Sequence, residues 1–176
     1  MHYWSEAVGT PVFINRNRIG HIENIMIDPA KKTVVGFILE RKNTEIRHRF
    51  FRFTQIEEMK RDSVQLINGS EIKMLPRDYR KNTLLAEDLL SKLLADEKGK
   101  WIGRVADFAF SASNGTIREL IISKSLVEDL WLGRKRMPVL SNVEFSQQLI
   151  RIDRDTKEEI TGLQKGLKKW FNMDSI

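Results

Sequence analysis

Short apolar runs separated by polar clusters dominate the chain. Residues 12–14 predict a first strand, and the following Asn15-Arg16-Asn17-Arg18 supplies side chains that tolerate turn backbone angles. Residues 19–27 predict a longer strand. It is broken at Asp28-Pro29-Ala30-Lys31-Lys32, where Pro29 lacks a ladder donor and marks a strand end. Residues 33–39 read Thr-Val-Val-Gly-Phe-Ile-Leu, rich in β-branched and aromatic side chains and apolar on both pleat faces. Such a strand needs cover on both sides.

The same pattern returns further along. Ile19-Gly20-His21-Ile22-Glu23-Asn24 is answered by Ile102-Gly103-Arg104-Val105-Ala106-Asp107, an offset of 83 residues that holds without a gap through residues 33–39 and 116–122. Phe53 and Ile56 then answer Leu140 and Val143 at an offset of 87, so the intervening loop has grown. Residues 64–66 and 150–152 close the two units. Gly20 and Gly103, near the strand starts, suit a tight bend or bulge. Asn68-Gly69 and Asn114-Gly115 read as turns.

Helix is the lesser partner. Residues 84–93 are helix-prone at their start and bridge the units, after a polar linker opened by Pro76. At the C-terminus, Thr156-Lys157-Glu158-Glu159 has capping-box spacing, and Ile160, Leu163, Leu167 and Trp170 recur at helical intervals. The predicted division is a first domain over 1–75, a linker over 76–92, a second domain over 93–155 and an amphipathic helix over 156–176.

The repeated unit resembles the PRC-barrel family, a small SH3-like barrel known from the photosynthetic reaction centre H subunit and a ribosome-maturation factor. Two features carry the resemblance. One is Ile-Gly-X-Ile/Val with Asn24 or Asp107 two residues on; the other is the stretch 126–143 with its Pro138. In the first unit, residues 41–52 are shorter and basic and lack that proline. The likeness covers about residues 5–67 and 88–153. It implies a mostly β fold of two small barrels in tandem, like that of bacterial proteins carrying two PRC barrels. It also implies a role in protein contacts and assembly, with no catalytic residues and no cofactor to carry over.

Composition narrows the chemistry. No cysteine is present, which excludes disulfides and thiolate ligands. No apolar run approaches the ~20 residues that span a bilayer, and no secretory signal is visible, so the expected location is the cytoplasm. The net charge of +6 permits RNA, an acidic protein or anionic lipid as partner, but both signs are mixed along the chain. His2, His21 and His48 have no metal-ligand spacing, and His21 is expected to be an exposed strand residue. Glu57-Glu58 and Glu158-Glu159 diverge as neighbours, whereas a catalytic carboxylate pair must converge. No nucleophile elbow or phosphate loop occurs.

Three surfaces remain as interaction candidates. Arg41, Lys42, Arg47, Arg49 and Arg52 alternate with Phe50, Phe51 and Phe53, a pattern that fits either a solvated hairpin or an RNA or ribosome contact. Strand alternation places Phe51 and Phe53 opposite Phe50, so at least one set should be core. Arg134, Lys135 and Arg136 are the matching stretch of the second copy. Trp170 and Phe171, with neighbouring lysines, fit an anionic membrane surface, a barrel wall or a second copy of the chain. The expected function is a non-catalytic module that binds a protein partner.

Overall fold

The computed structural model describes residues 1–40, 49–75, 79–90, 92–145 and 149–162. The fold is mostly β, with two sheets, one of them curled into a half-barrel. Two compact units result: Met1–Asp88 with Phe110–Thr116, and Leu89–Ala109 with Ile117–Ile176.

The first unit runs β1 (His2–Tyr3), α1 (Trp4–Ala7), β2 (Pro11–Ile14), β3 (Asn17–Asp28), β4 (Thr33–Leu39) and β5 (Arg49–Arg52). A 3-10 turn (Phe53–Gln55) follows, then β6 (Ile56–Met59), β7 (Val64–Leu66), β8 (Lys73–Met74), α2 (Tyr79–Asn82), β9 (Leu84–Leu85) and α3 (Ala86–Leu89). Next come β10 (Leu93–Asp96), β11 (Trp101–Phe110), β12 (Ile117–Ser123), α4 (Leu126–Leu132), β13 (Lys135–Pro138), β14 (Glu144–Phe145), β15 (Leu149–Ile152), α5 (Arg154–Glu158) and β16 (Thr161–Gly162).

The repeat read from sequence is visible in the strand order. One sheet runs β6-β7-β2-β3-β4-β5-β8 and the other β14-β15-β10-β11-β12-β13-β16, the same succession of elements. In both, an early strand (β2, β10) pairs in parallel with a late one (β7, β15): Val12 opposite Val64, and Leu94 opposite Ile150. The matched glycines also coincide. Gly20 lies opposite Val12 and Gly103 opposite Leu94, and each register slips at the next position, as a bulge requires.

A shared polar contact marks the same place in each unit. Asn24 is buried with its side-chain oxygen accepting from the Ile25 backbone at 2.8 Å. Asp107 is buried and accepts from Phe108 at 2.8 Å. At Asn24 the side chain stands where the β3–β4 register shifts. It gives the Ile25 backbone donor a side-chain acceptor beside the irregularity.

Strand β4 is covered on both faces, as its composition demanded. Ile38 packs with Met26, Phe50 and Leu75 on one side. On the other, Phe37 stacks on Phe51 at 5.1 Å and on Phe53 at 6.2 Å, and Phe110 tilts against it at 6.3 Å. Phe110 ends β11 of the second repeat, yet it and the turn that follows, Phe110–Thr116, form part of the first unit. There Val34 donates to the Gly115 carbonyl at 2.8 Å. The packed units therefore depart from the sequence division of 1–75 and 93–155 at this turn.

The segment 84–93, expected to be helix-prone at its start, begins instead as a strand. Leu84 and Leu85 pair with Ile27 and Met26 as a strand, and only Ala86–Leu89 is helical. The continuous helix expected from Thr156 is also corrected. Asp153, not Thr156, caps α5, its carboxylate accepting from the Thr156 backbone at 2.9 Å. The helix stops at Glu158, and Thr161–Gly162 pairs with Lys135 and Arg136. Gly162 disfavours helix, and the open edge of β13 offers its backbone a partner. Residues 163–176 lie outside the described residues. No helix among the described residues is long and apolar enough to cross a membrane.

Candidate functional site

Strand alternation decides what the basic segment can do. Arg41, Lys42, Arg47 and His48 lie outside the described residues, as do Trp170 and Phe171. Arg49 turns inward: its Nη2 donates to the Ile19 carbonyl at 2.9 Å, and its Nη1 is buried without a partner. Phe50 and Phe51 are both buried, one on each face of β5, so neither presents a ring for base stacking. Among the described members of this group Arg52 alone is exposed, and it enters no ion pair with a described residue.

The expectation of an exposed His21 is corrected in the same region. Its Nδ1 lies 2.6 Å from Glu40 Oε1, and the side chain is half-buried. The Glu40 backbone donates to the His21 carbonyl at 3.0 Å. His21, Glu40 and Arg49 thus tie β3 to the chain around it, a structural use of charged groups.

In the second copy, Arg134 faces Asp129 at 3.5 Å and Arg136 faces Glu119 at 3.7 Å. Lys135, half-buried on β13, enters no ion pair among the described residues. Of the described basic candidates, then, three are committed to carbonyl or carboxylate partners. Exposed pairs of this kind contribute little to stability, but they neutralise the field that a polyanion would feel.

The second unit offers a different surface, which sequence reading missed. Ser125 caps α4, its Oγ accepting from the Glu128 backbone at 3.1 Å, and Gly133 ends it at φ 83°. Ser125-Leu126-Val127-Glu128 has capping-box spacing, the signal that could have found this helix. Lys124 and Glu128 pair at 3.0 Å across its first turn. Val127 and Leu130, three residues apart and so on one helix face, are 79% and 67% exposed. Trp101, on β11 of the same unit, is 48% exposed.

Titratable chemistry is sparse. Among the described residues, no group of three or more His, Asp or Glu side chains could hold a metal ion. His2 is buried in the first unit with its ring 6.2 Å from that of Phe110. Burial pushes its pKa below the ordinary 6.5, helped by the N-terminal charge and opposed by Glu6 and a hydrogen bond to the Met59 backbone. The unfolded chain then holds the proton more tightly than the folded one. Stability from the neutral ring is complete above about pH 6.5 and is lost as pH falls through the lowered folded value. Wild type is expected to lose more stability than His2→Gln on going from about pH 7.5 to about pH 5. Parallel urea midpoints for the two proteins across that range would contradict the assignment.

Among known proteins, no family model matches the chain, and no curated protein matches it.

Proposed function

We propose that the chain is a non-catalytic interaction module, two small barrels of the PRC type, that holds a protein partner against the exposed face of α4. The observation that carries this is the pair Val127 and Leu130, large apolar side chains left mostly in water on one face of a capped helix. Scattered apolar residues are ordinary on a surface, but a paired helix face with a tryptophan in the same unit has the composition of an interface core. The committed pairs Arg134–Asp129 and Lys124–Glu128 flank the helix and give such a patch a polar rim. The duplicated strand order supports a scaffold whose loops and helices, rather than its barrels, carry the contacts.

The test is a double substitution, Val127→Glu with Leu130→Glu. Both positions are exposed, so the melting curve should stay within about 0.5 kcal/mol of wild type. A photo-crosslinker placed at Val127 in the native cell should capture a defined protein, and the doubly charged variant should bind it at least roughly tenfold more weakly. Equal affinity of wild type and variant for the captured protein would overturn the reading. So would a reproducible turnover that survives repurification and disappears with one point substitution.

A further inference from the structure

The first unit holds a groove of about 540 Å³ between the 3-10 turn (Phe53–Gln55) and the segment 67–74. Its walls are fixed by backbone and amide bonds. Ile67 donates to the Gln55 carbonyl at 2.9 Å, and Ser70 closes a turn onto the Ile67 carbonyl at 3.0 Å. The Gln55 side chain spans the groove's end, donating to the Glu71 carbonyl at 3.2 Å while its oxygen accepts from the Arg52 backbone at 2.7 Å. Gly69, at φ +79, permits the turn. Phe50, opposite Lys73, lies beneath as the floor.

The lining has two characters. Ile67 and Met74 are 48% and 64% exposed and line the groove as large apolar side chains in water. The charges there are Arg52, Lys73 and Glu71, and Glu71 is taken by Lys73 at 2.9 Å. Arg52 is left as the cation with no ion pair among the described residues, so the described lining carries one uncompensated positive charge beside an apolar shelf. The volume falls in the range of ligand pockets and suits a few residues of extended peptide.

We infer that this groove is a second binding site, which takes an extended acidic segment of a partner protein with its carboxylate on Arg52 and a neighbouring aliphatic side chain against Ile67 and Met74. Charge complementarity selects the occupant. An arginine fork matches a carboxylate in two parallel hydrogen bonds, and the Thr54 and Ser70 hydroxyls add donors at the rim. A nucleic acid is the poorer match: one unpaired cation is little against a phosphate chain, Glu71 stands on the rim, and the aromatic ring is buried beneath. The inference extends the interaction-module reading to a separate surface in the other unit.

The experiment uses the full-length, isotope-labelled chain titrated with the capped peptide acetyl-Gly-Leu-Asp-Leu-Gly-amide. Saturable amide shifts are expected at Arg52, Gly69, Ser70 and Met74. Changing the peptide's Asp to Asn, or Arg52→Gln in the protein, should weaken binding roughly tenfold, the value of one charge-assisted contact. The Val127→Glu, Leu130→Glu protein should bind as wild type does, so failure here and failure at α4 are read separately. No saturable shift, equal binding of the Asn peptide, or shifts centred elsewhere would each overturn the inference. An oligonucleotide that shifts the same four amides more tightly than the Asp peptide would also overturn it. Should Arg52→Gln fold poorly, the Asp-to-Asn comparison on the wild-type protein still decides.

Discussion

Phe37→Ala is expected to remove about 3–5 kcal/mol of stability, the range for emptying a fully buried aromatic site. Phe37 has no exposed surface and touches three other rings, those of Phe51, Phe53 and Phe110. Its backbone is held on both edges, opposite Ile25 on β3 and Phe51 on β5, so the walls of the cavity cannot close by sliding. The urea midpoint should fall while the slope stays unchanged. A loss below about 1 kcal/mol would show that the ring is not at the centre of a packed core. A double-mutant cycle with Phe110→Ala carries the argument further. Coupling of about 0.5–1.5 kcal/mol is expected for an aromatic pair in contact. Strictly additive losses would place the Phe110–Thr116 turn outside the core of the first unit.

That core was legible where local pattern and tertiary demand agree. Residues 33–39 predicted a strand needing cover on both faces, and β4 has those bounds and both covers. Gly20 and Gly103 predicted bulges and stand at them. The Asn114-Gly115 turn is present, with Gly115 at φ 71° and the Asn114 side chain accepting from Thr116. Alternation also forecast that at least one phenylalanine set of 50–53 would be core, and Phe50 and Phe51 both are. In each case a few neighbouring residues contain the whole physical cause.

Where two local signals compete, or the cause lies far along the chain, the pattern misleads. Leu84 and Leu85 are good helix formers, but Met26 and Ile27 offer them a strand edge, and distant pairing overrode local propensity. Thr156 had the spacing of a cap, yet Asp153, three residues earlier, supplied a stronger acceptor and took the position. Arg49 looked like surface charge because nothing in its neighbourhood announces that the Ile19 carbonyl, thirty residues away, lacks a donor. The two candidate surfaces share this difficulty. Val127, Leu130, Ile67 and Met74 are apolar residues that a reader assigns to the core, and only packing reveals that they were left out of it.

Gly103→Ala should be the most damaging of the single-methyl changes at the repeated motif, at about 3 kcal/mol, the upper end for overpacking a filled site. A methyl built on Gly103 would overlap the Ile122 side-chain methyl and stand 2.8 Å from the Ser123 carbonyl oxygen. Ile122 is buried and β-branched, with little rotamer freedom, and the carbonyl is main chain, so neither can step aside cheaply. Gly20, the matched residue of the first unit, is a glycine for another reason. Its φ is +155°, but an added methyl would find its nearest neighbour, the Arg49 Nη1, at an ordinary 3.5 Å. Gly20→Ala meets backbone strain alone and should cost about 1 kcal/mol. Urea denaturation of the two variants measures the ordering directly. Equal losses, or a larger one at Gly20, would contradict the ranking of steric overlap above backbone strain. The expected inequality instead separates two causes: a backbone conformation in the first unit, and in the second an isoleucine and a carbonyl that cannot move aside.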